Sequence, residues 1–253
     1  MLIILKNQYM KKILFPFALL IAFISTVCAQ DMMMINDKNA ELRSVGSFTG
    51  IRVSSAIELI IKQGNEDAVV VSANEEKYRN RIKTEVRNGV LNIWYDHDGL
   101  KNWWKGEEKK LRAYVSVKNL NLINASGATD VKIDGLLSGA SLKVELSGAS
   151  GFKAELRYDD VKMNQSGASD ATVKGKVTNL EIDLSSASDF KGFDLVAENC
   201  DIQTSGASDV KITVNNEIKV NASGASDVEY KGNAKVSELK TSGASSLRKR
   251  STR

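Results

Sequence analysis

The chain has 253 residues, 42% of them hydrophobic and 26% charged, with a formal net charge of +4 and two cysteines. This composition excludes a disordered chain and a small disulfide-rich domain, and it allows one sizeable domain or two small ones. The basic stretch at the C-terminus, LRKRSTR, is too short to support nucleic-acid binding.

The chain begins with a predicted secretory signal peptide over residues 1–29. The stretch MKKILFPFALLIAFISTVCAQ places two lysines before an apolar run and a small-residue site. The apolar run, Ile13 to Val27, is shorter than the roughly 20 residues of a spanning helix, so we predict no membrane span in the mature chain. We expect cleavage after Ala29, with lipidation of Cys28 as the alternative. Cleavage lowers the net charge to +1 and leaves Cys200 as the only cysteine.

Residues 30–43 are predicted to be a linker, and residues 44–117 an irregular first part of one domain that extends to residue 247. The stretch FTGIRVSSAIELIIKQG predicts two strands around a small corner at Ser54–Ala56. A short helix is expected further on, with Asn74 as its N-cap. The pair Asn88-Gly89 predicts a two-residue hairpin turn. Together, these elements predict an end cap for the more regular part that follows.

Residues 118–247 repeat a serine-glycine-alanine-serine motif at spacings of 18–21 residues. Alternating stretches such as Leu180–Leu184 precede the motif, and these predict strands with one buried face. The pattern predicts an all-β fold, a parallel β-solenoid with rungs of about 19 residues stacked about 4.8 Å apart. Small-residue corners join its strands, and glycine suits such turns. The predicted structural corner glycines are Gly127, Gly148, Gly167, Gly206, Gly224 and Gly243.

An aspartate follows most of the corners and would form a column along the solenoid. The residues concerned are Asp130, Asp170, Asp189, Asp209 and Asp227. Such a column is similar to the calcium ladders of nonapeptide repeats, so a calcium-dependent scaffold is one alternative. Their glycine spacing differs, however, and a lysine lies two residues after most of these aspartates. We therefore interpret the two columns as a solvated charge ladder and predict no metal site and no cofactor.

The stretch YDHDGLKNWWKGEEKK interrupts the pattern and is predicted to be an exposed loop. Trp103 and Trp104 could stack on a sugar ring or contact a protein partner, or they could pack over the end of the solenoid. His97 lies in the same loop, and no nucleophile, zinc or phosphate-loop motif is present. We predict no catalytic residues; a carbohydrate-active enzyme similar to pectin lyases remains the alternative. Residues 248–253 form a short basic tail.

With these elements in order, the chain resembles the family of putative auto-transporter adhesin head GIN domains, exported proteins common in Bacteroidetes. The resemblance rests on FTGIRVSSAIELIIKQG, on VSANEEKYRNRIKTEVRNGVLNIW and on the SGAS units, and it covers about residues 44–247. It implies a right-handed parallel β-helix without the catalytic residues of pectin lyases. It also implies a role in adhesion, and it supplies no site residues.

The sequence therefore predicts an exported, non-catalytic β-solenoid located in the periplasm, on the outer membrane surface or outside the cell. We expect it to present a repetitive surface to a glycan or protein partner at the cell surface. A homo-oligomer is a further expectation, because an open end of a solenoid can stack on another copy.

Overall fold

The structure is a computed structural model that describes residues 37–99 and 108–251, all within one compact unit formed by residues 31–253. It is an all-β solenoid with about seven stacked coils and one short helix among the described residues, which confirms the predicted fold class.

The N-terminal part contains eight short strands and the helix. They are β1 (Glu41–Arg43), β2 (Gly50–Val53), β3 (Glu58–Gln63), β4 (Ala68–Ser72), α1 (Glu76–Arg79), β5 (Ile82–Arg87), β6 (Val90–Tyr95), β7 (Arg112–Val117) and β8 (Leu122–Ala125). Strands β2 and β3 form the first coil of the chain, which pairs in parallel with β6 and β7 on one side and with β8 and β9 (Asp130–Leu146) on the other. Strands β4 and β1 pair antiparallel beyond β7, and β5 pairs antiparallel with β6, so this end closes with strands of reversed direction.

Two local predictions in this part have different outcomes. The hairpin is confirmed, because Asn88 and Gly89 have φ values of 51° and 74° between the antiparallel strands β5 and β6. The predicted N-cap is wrong, because α1 begins after Glu75 and has no side-chain cap. The Asn74 amide instead donates to the carbonyl of Glu108, so this hydrogen bond connects the residues before α1 to the segment that precedes β7.

The regular part contains eight further strands. They are β9 (Asp130–Leu146), β10 (Gly151–Gln165), β11 (Asp170–Leu184), β12 (Asp189–Thr204), β13 (Asp209–Ala222), β14 (Asp227–Lys231), β15 (Lys235–Thr241) and β16 (Ser246–Lys249). All of them pair in parallel with the strand one rung away. Strands β10 and β11 keep an offset of 19 residues along their whole length, as the repeat predicts.

Each rung from β9 to β13 is one continuous strand that bends midway, at positions such as Gly135 and Gly175, whose φ values are 85° and 118°. The ladder with the neighbouring rungs continues through the bend, although its register shifts there, for example between Lys153 and Glu155 and between Thr172 and Gly175. The repeats differ in length, and the extra or missing residues lie at these shifts. The SGAS corners therefore stay in register, while the number of residues in the bends varies from rung to rung.

The corners stack through the same backbone hydrogen bond in every rung, such as the one from the Ala168 N–H to the Gly148 carbonyl, 2.7 Å. At the glycine position φ lies between 71° and 84°, and a Cβ added to Gly167 would lie 2.5 Å from the Gly148 oxygen. Ser186 occupies this position in one rung and has a φ of 69°. The serine therefore adopts the strained left-handed conformation that glycine has in the other regular corners, so this corner position requires a positive φ.

The last residue of the motif is buried and its hydroxyl bonds back across the corner. Ser169 Oγ donates to the Ser166 carbonyl at 2.8 Å, and the same bond recurs in the other rungs. Inward-facing apolar side chains fill the interior between the corners, and they include Phe190 and the thiol of Cys200, whose pKa is raised by burial. Cys200 is thus a small residue of the core.

Candidate binding face

The sheet formed by the second halves of the rungs carries three outward-facing columns of polar side chains, and we call this surface the polar face. Each strand places residues two apart on this side, as Asp160, Lys162 and Asn164 are in β10, while the residues between them are buried. Because the rungs are in register, equivalent side chains align from one rung to the next.

The column nearest the corners is the longest, and we call it the long polar column. Register pairs connect Asn92, Arg52, Asn124, Glu145, Asn164, Asp183, Gln203 and Asn221, in that order. The Asn124 amide donates to Glu145 at 2.6 Å, and the hydrogen bond from Lys143 lowers the pKa of that carboxyl. Trp94, half-buried, lies two residues after Asn92 on the same side of β6. This column therefore joins the N-terminal part to the regular rungs.

The column nearest the bends is an amide ladder made of Asp160, Asn179, Asn199 and Asn216. Asn179 donates to Asp160 at 2.8 Å, Asn199 donates to Asn179 at 2.9 Å, and Asn216 donates to Asn199 at 2.8 Å. A carboxamide carries two donor hydrogens and two acceptor lone pairs, so each bond of the ladder leaves further capacity on the same side chain.

Charged side chains form the middle column, with Lys162, Glu181, Asp201 and Lys219 in register. Lys162 donates to Glu181, and this bond raises the pKa of the lysine. Burial raises the pKa of Asp201, and Glu181 adds to the shift. A shallow depression of about 290 Å³ lies between this column and the amide ladder. The face thus offers donors and acceptors in close alternation.

The first halves of the rungs carry the predicted aspartate and lysine columns, and the register pairs align them. Asp170 pairs with Asp189 and Asp189 with Asp209. Lys191 binds Asp170 at 3.1 Å and lies 3.6 Å from Asp189, and these carboxylates raise its pKa. Among the described residues, no group of three or more His, Cys, Asp or Glu side chains has metal-site geometry. The contacts of Lys191 are those of a charge ladder.

The predicted tryptophan site, Trp103 and Trp104, lies outside the described residues. His97, from the same stretch, is half-buried, and its ring lies 5.2 Å from that of Tyr95. The structure therefore places this histidine against the body of the domain.

Sequence reasoning missed the polar face. The amide ladder left a signal, because Asn179 and Asn199 each precede the first apolar residue of a strand segment at the spacing of the repeat. The signal for the long polar column is weaker, since Arg52 joins Asn124 only through the pairing of β2 with β8, and Asn92 joins Arg52 only through the pairing of β2 with β6.

Residues 47–234 match the model of the family described as "putative auto-transporter adhesin, head GIN domain". The chain belongs to this family. None of the curated proteins matches it.

Solved structures with the same fold come from Bacteroides and Parabacteroides species. A putative adhesin from Bacteroides fragilis is 18% identical with a TM-score of 0.73, and the match covers 85% of this chain and 98% of that one. A putative adhesin from Parabacteroides merdae is 16% identical with a TM-score of 0.64, covering 84% and 96%. A structure described as a putative lipid binding protein from Parabacteroides distasonis is 16% identical with a TM-score of 0.65, covering 85% and 98%. At these identities the likeness shows the fold alone.

No helix within residues 37–99 and 108–251 combines the length and apolar character needed to cross a membrane.

Proposed function

We propose that this protein is an exported adhesin that binds a linear glycan along the polar face. Membership of a family described as adhesins supports a role in adhesion at the cell surface. The observation that carries the choice of ligand is the long polar column, in which carboxamides alternate with carboxylates and a guanidinium over the seven residues in register from Asn92 to Gln203.

Sugar hydroxyl groups both donate and accept hydrogen bonds, so they match side chains that do the same. Gln203 offers donors and acceptors, Asp183 offers acceptors, and Arg52 and the amide nitrogen of Asn164 offer donors. A chain that lies along the solenoid would meet equivalent groups at each rung, about 4.8 Å apart. Trp94 could add stacking on a sugar ring at one end of the column. Repetition would then supply affinity through several weak contacts.

Two finer proposals accompany this one. The first is that Trp103 and Trp104 contribute to recognition, as their sequence context suggests. The second is that the polar face binds its ligand without catalysing a reaction, because this face is open and shallow.

The test is binding of residues 30–253 to an array of immobilised neutral and acidic polysaccharides. In the polar-face variant, Asn164→Ala/Asp183→Ala/Gln203→Ala, we expect affinity to fall at least about tenfold, because several hydrogen bonds to the glycan are lost. The matched control, Lys132→Ala/Lys153→Ala/Lys211→Ala, removes three side chains from the other sheet and should leave binding unchanged.

A third variant, Trp103→Ala/Trp104→Ala, separates the loop from the face. Loss of binding in this variant alone would move recognition to the loop. Failure of the unmodified protein to bind any glycan on the array would contradict the proposal.

A further inference from the structure

The two ends of the solenoid are built differently. At the N-terminal end, β4 and β1 lie antiparallel beyond β7, and the β5–β6 hairpin closes the other side. At the C-terminal end, β15 pairs only with β13 and β16 only with β14 among the described strands. The outer edges of β15 and β16 therefore present backbone N–H and C=O groups in the same parallel orientation as an interior rung.

The side chains of β15 are exposed although their pattern is that of a core strand. Val236 pairs with Ile218 and Leu239 pairs with Val220, and both partners in β13 are buried. Val236 is 36% exposed and Leu239 is 51% exposed, and every other residue of β15 is exposed as well. These are inward-facing positions that lack a following rung to cover them.

We propose that β15 is a dimer interface, at which two copies of the chain pair tail to tail through antiparallel β15 strands. The sequence of β15 is self-complementary in one register, centred on Leu239. There Glu238 of one copy lies opposite Lys240 of the other, and the two-fold axis repeats this pair. The two Leu239 side chains lie opposite each other on the inward side, where each covers apolar surface of the other copy.

A two-fold axis perpendicular to the coil keeps the handedness of both copies and brings the two free β15 edges together. At the N-terminal end the edge strands β1 and β5 run antiparallel to the strands they pair with, so β15 of another copy would not find there the parallel neighbour that an interior strand has. A second copy joined by its own β15 strand therefore fits the open edge better than a head-to-tail stack does.

The test is light scattering during size-exclusion chromatography of residues 30–253, which gives the mass and its dependence on concentration. We expect a dimer. Glu238→Lys and Lys240→Glu each bring like charges together at both symmetric pairs, so each should weaken the dimer about tenfold or more. The double variant Glu238→Lys/Lys240→Glu restores opposite charges and should restore the dimer. A monomeric unmodified chain, or a dimer insensitive to both single reversals, would overturn the proposal.

A cross-link gives a second measurement of the register. Residues directly opposite in an antiparallel pair have Cα atoms about 4.5–5.5 Å apart, which suits a disulfide. The variant Leu239→Cys should form a covalent dimer on oxidation, because Cys200 is buried and does not compete. The control Lys235→Cys lies away from the axis and should not cross-link. Equal cross-linking by both variants, or none by Leu239→Cys, would reject this interface.

Discussion

The N-terminal part and the regular rungs are stabilised in different ways. In the N-terminal part, each polar contact occurs once: the Asp37 carboxylate accepts hydrogen bonds from Ser72 at 2.7 Å and from Tyr114 at 2.9 Å, and Arg79 bridges to Glu41 at 2.8 Å. In the regular rungs the same contact recurs at each level, as the corner bond from Ser169 to Ser166 does.

This difference has a consequence for how the two parts tolerate change. A side chain in a rung meets the residue at the equivalent position of the rungs above and below, so the backbone spacing between rungs limits what fits there. A side chain in the N-terminal part meets unlike partners, so its specific hydrogen bonds matter more. Substitutions should therefore act through sterics in the rungs and through individual polar contacts in the N-terminal part.

The largest effect is expected from Gly175→Ala in the bend of β11. Gly175 has a φ of 118°, and an added Cβ would lie 2.0 Å from the Leu156 oxygen of the neighbouring rung. We expect a loss of about 3–4 kcal/mol in the free energy of unfolding, measured by chemical denaturation. The control is Gly89→Ala in the hairpin, where φ is 74° and nothing lies within 4 Å. That variant should cost about 1 kcal/mol, and equal losses would contradict the steric argument.

The next effect is expected at Asp37. The hydrogen bond from Ser72 holds the pKa of this carboxyl below its usual value, and Tyr114 and Arg112 contribute. Asp37→Asn should cost about 1–2 kcal/mol at neutral pH, because the variant loses bonds to a charged acceptor. Since the folded pKa is lowered, the stabilisation is complete above the unfolded pKa, about 3.9, and is lost as pH falls through the folded value. Unfolding curves of both proteins across this range should converge at low pH.

Asp201 provides a control of opposite sign. Burial raises its pKa, so its ionised form is less favourable in the folded chain than in the unfolded chain. Asp201→Asn should therefore leave stability at neutral pH unchanged or slightly higher. A loss comparable to that of Asp37→Asn would show that the contacts of Asp201 outweigh its burial.

The smallest effect is expected from Ser186→Gly. The serine has a φ of 69° in a corner where the other regular rungs have glycine. Glycine removes this strain but adds freedom to the unfolded chain, so we expect a gain of about 0.5–1 kcal/mol, seen as a higher melting temperature. The neighbouring change Ser185→Gly relieves no positive φ and should not stabilise. A fall in melting temperature for Ser186→Gly would mean that the serine side chain makes a compensating contact.

The solenoid could be predicted from the sequence because its signals are local and repeated. Alternation in Leu180–Leu184 identified the buried face, and the spacing of the SGAS motif gave the length of a rung. The Asn88-Gly89 turn was also readable, since its conformation depends on those two residues alone.

The remaining features depend on which strands meet. The apolar run Val69–Val71 indicates a strand but not that it runs antiparallel to β7. The side chain of Asn74 has the chemistry of an N-cap, but its amide donates to the carbonyl of Glu108, which is distant in sequence. The polar face was hidden for the same reason, because Arg52 lies beside Asn124 only after the first coil has stacked.

The constant corner register makes the length of the protein adjustable in whole units. Residues 166–184 form one complete coil, and without them Gln165 would lead directly into Ser185, which follows Leu184 in the same position of the next corner. Evolution or a protein engineer could delete or duplicate such a unit with little change to the surfaces that remain, shifting the distance between the two ends by about 4.8 Å each time. The length of the solenoid can therefore change in steps of one coil.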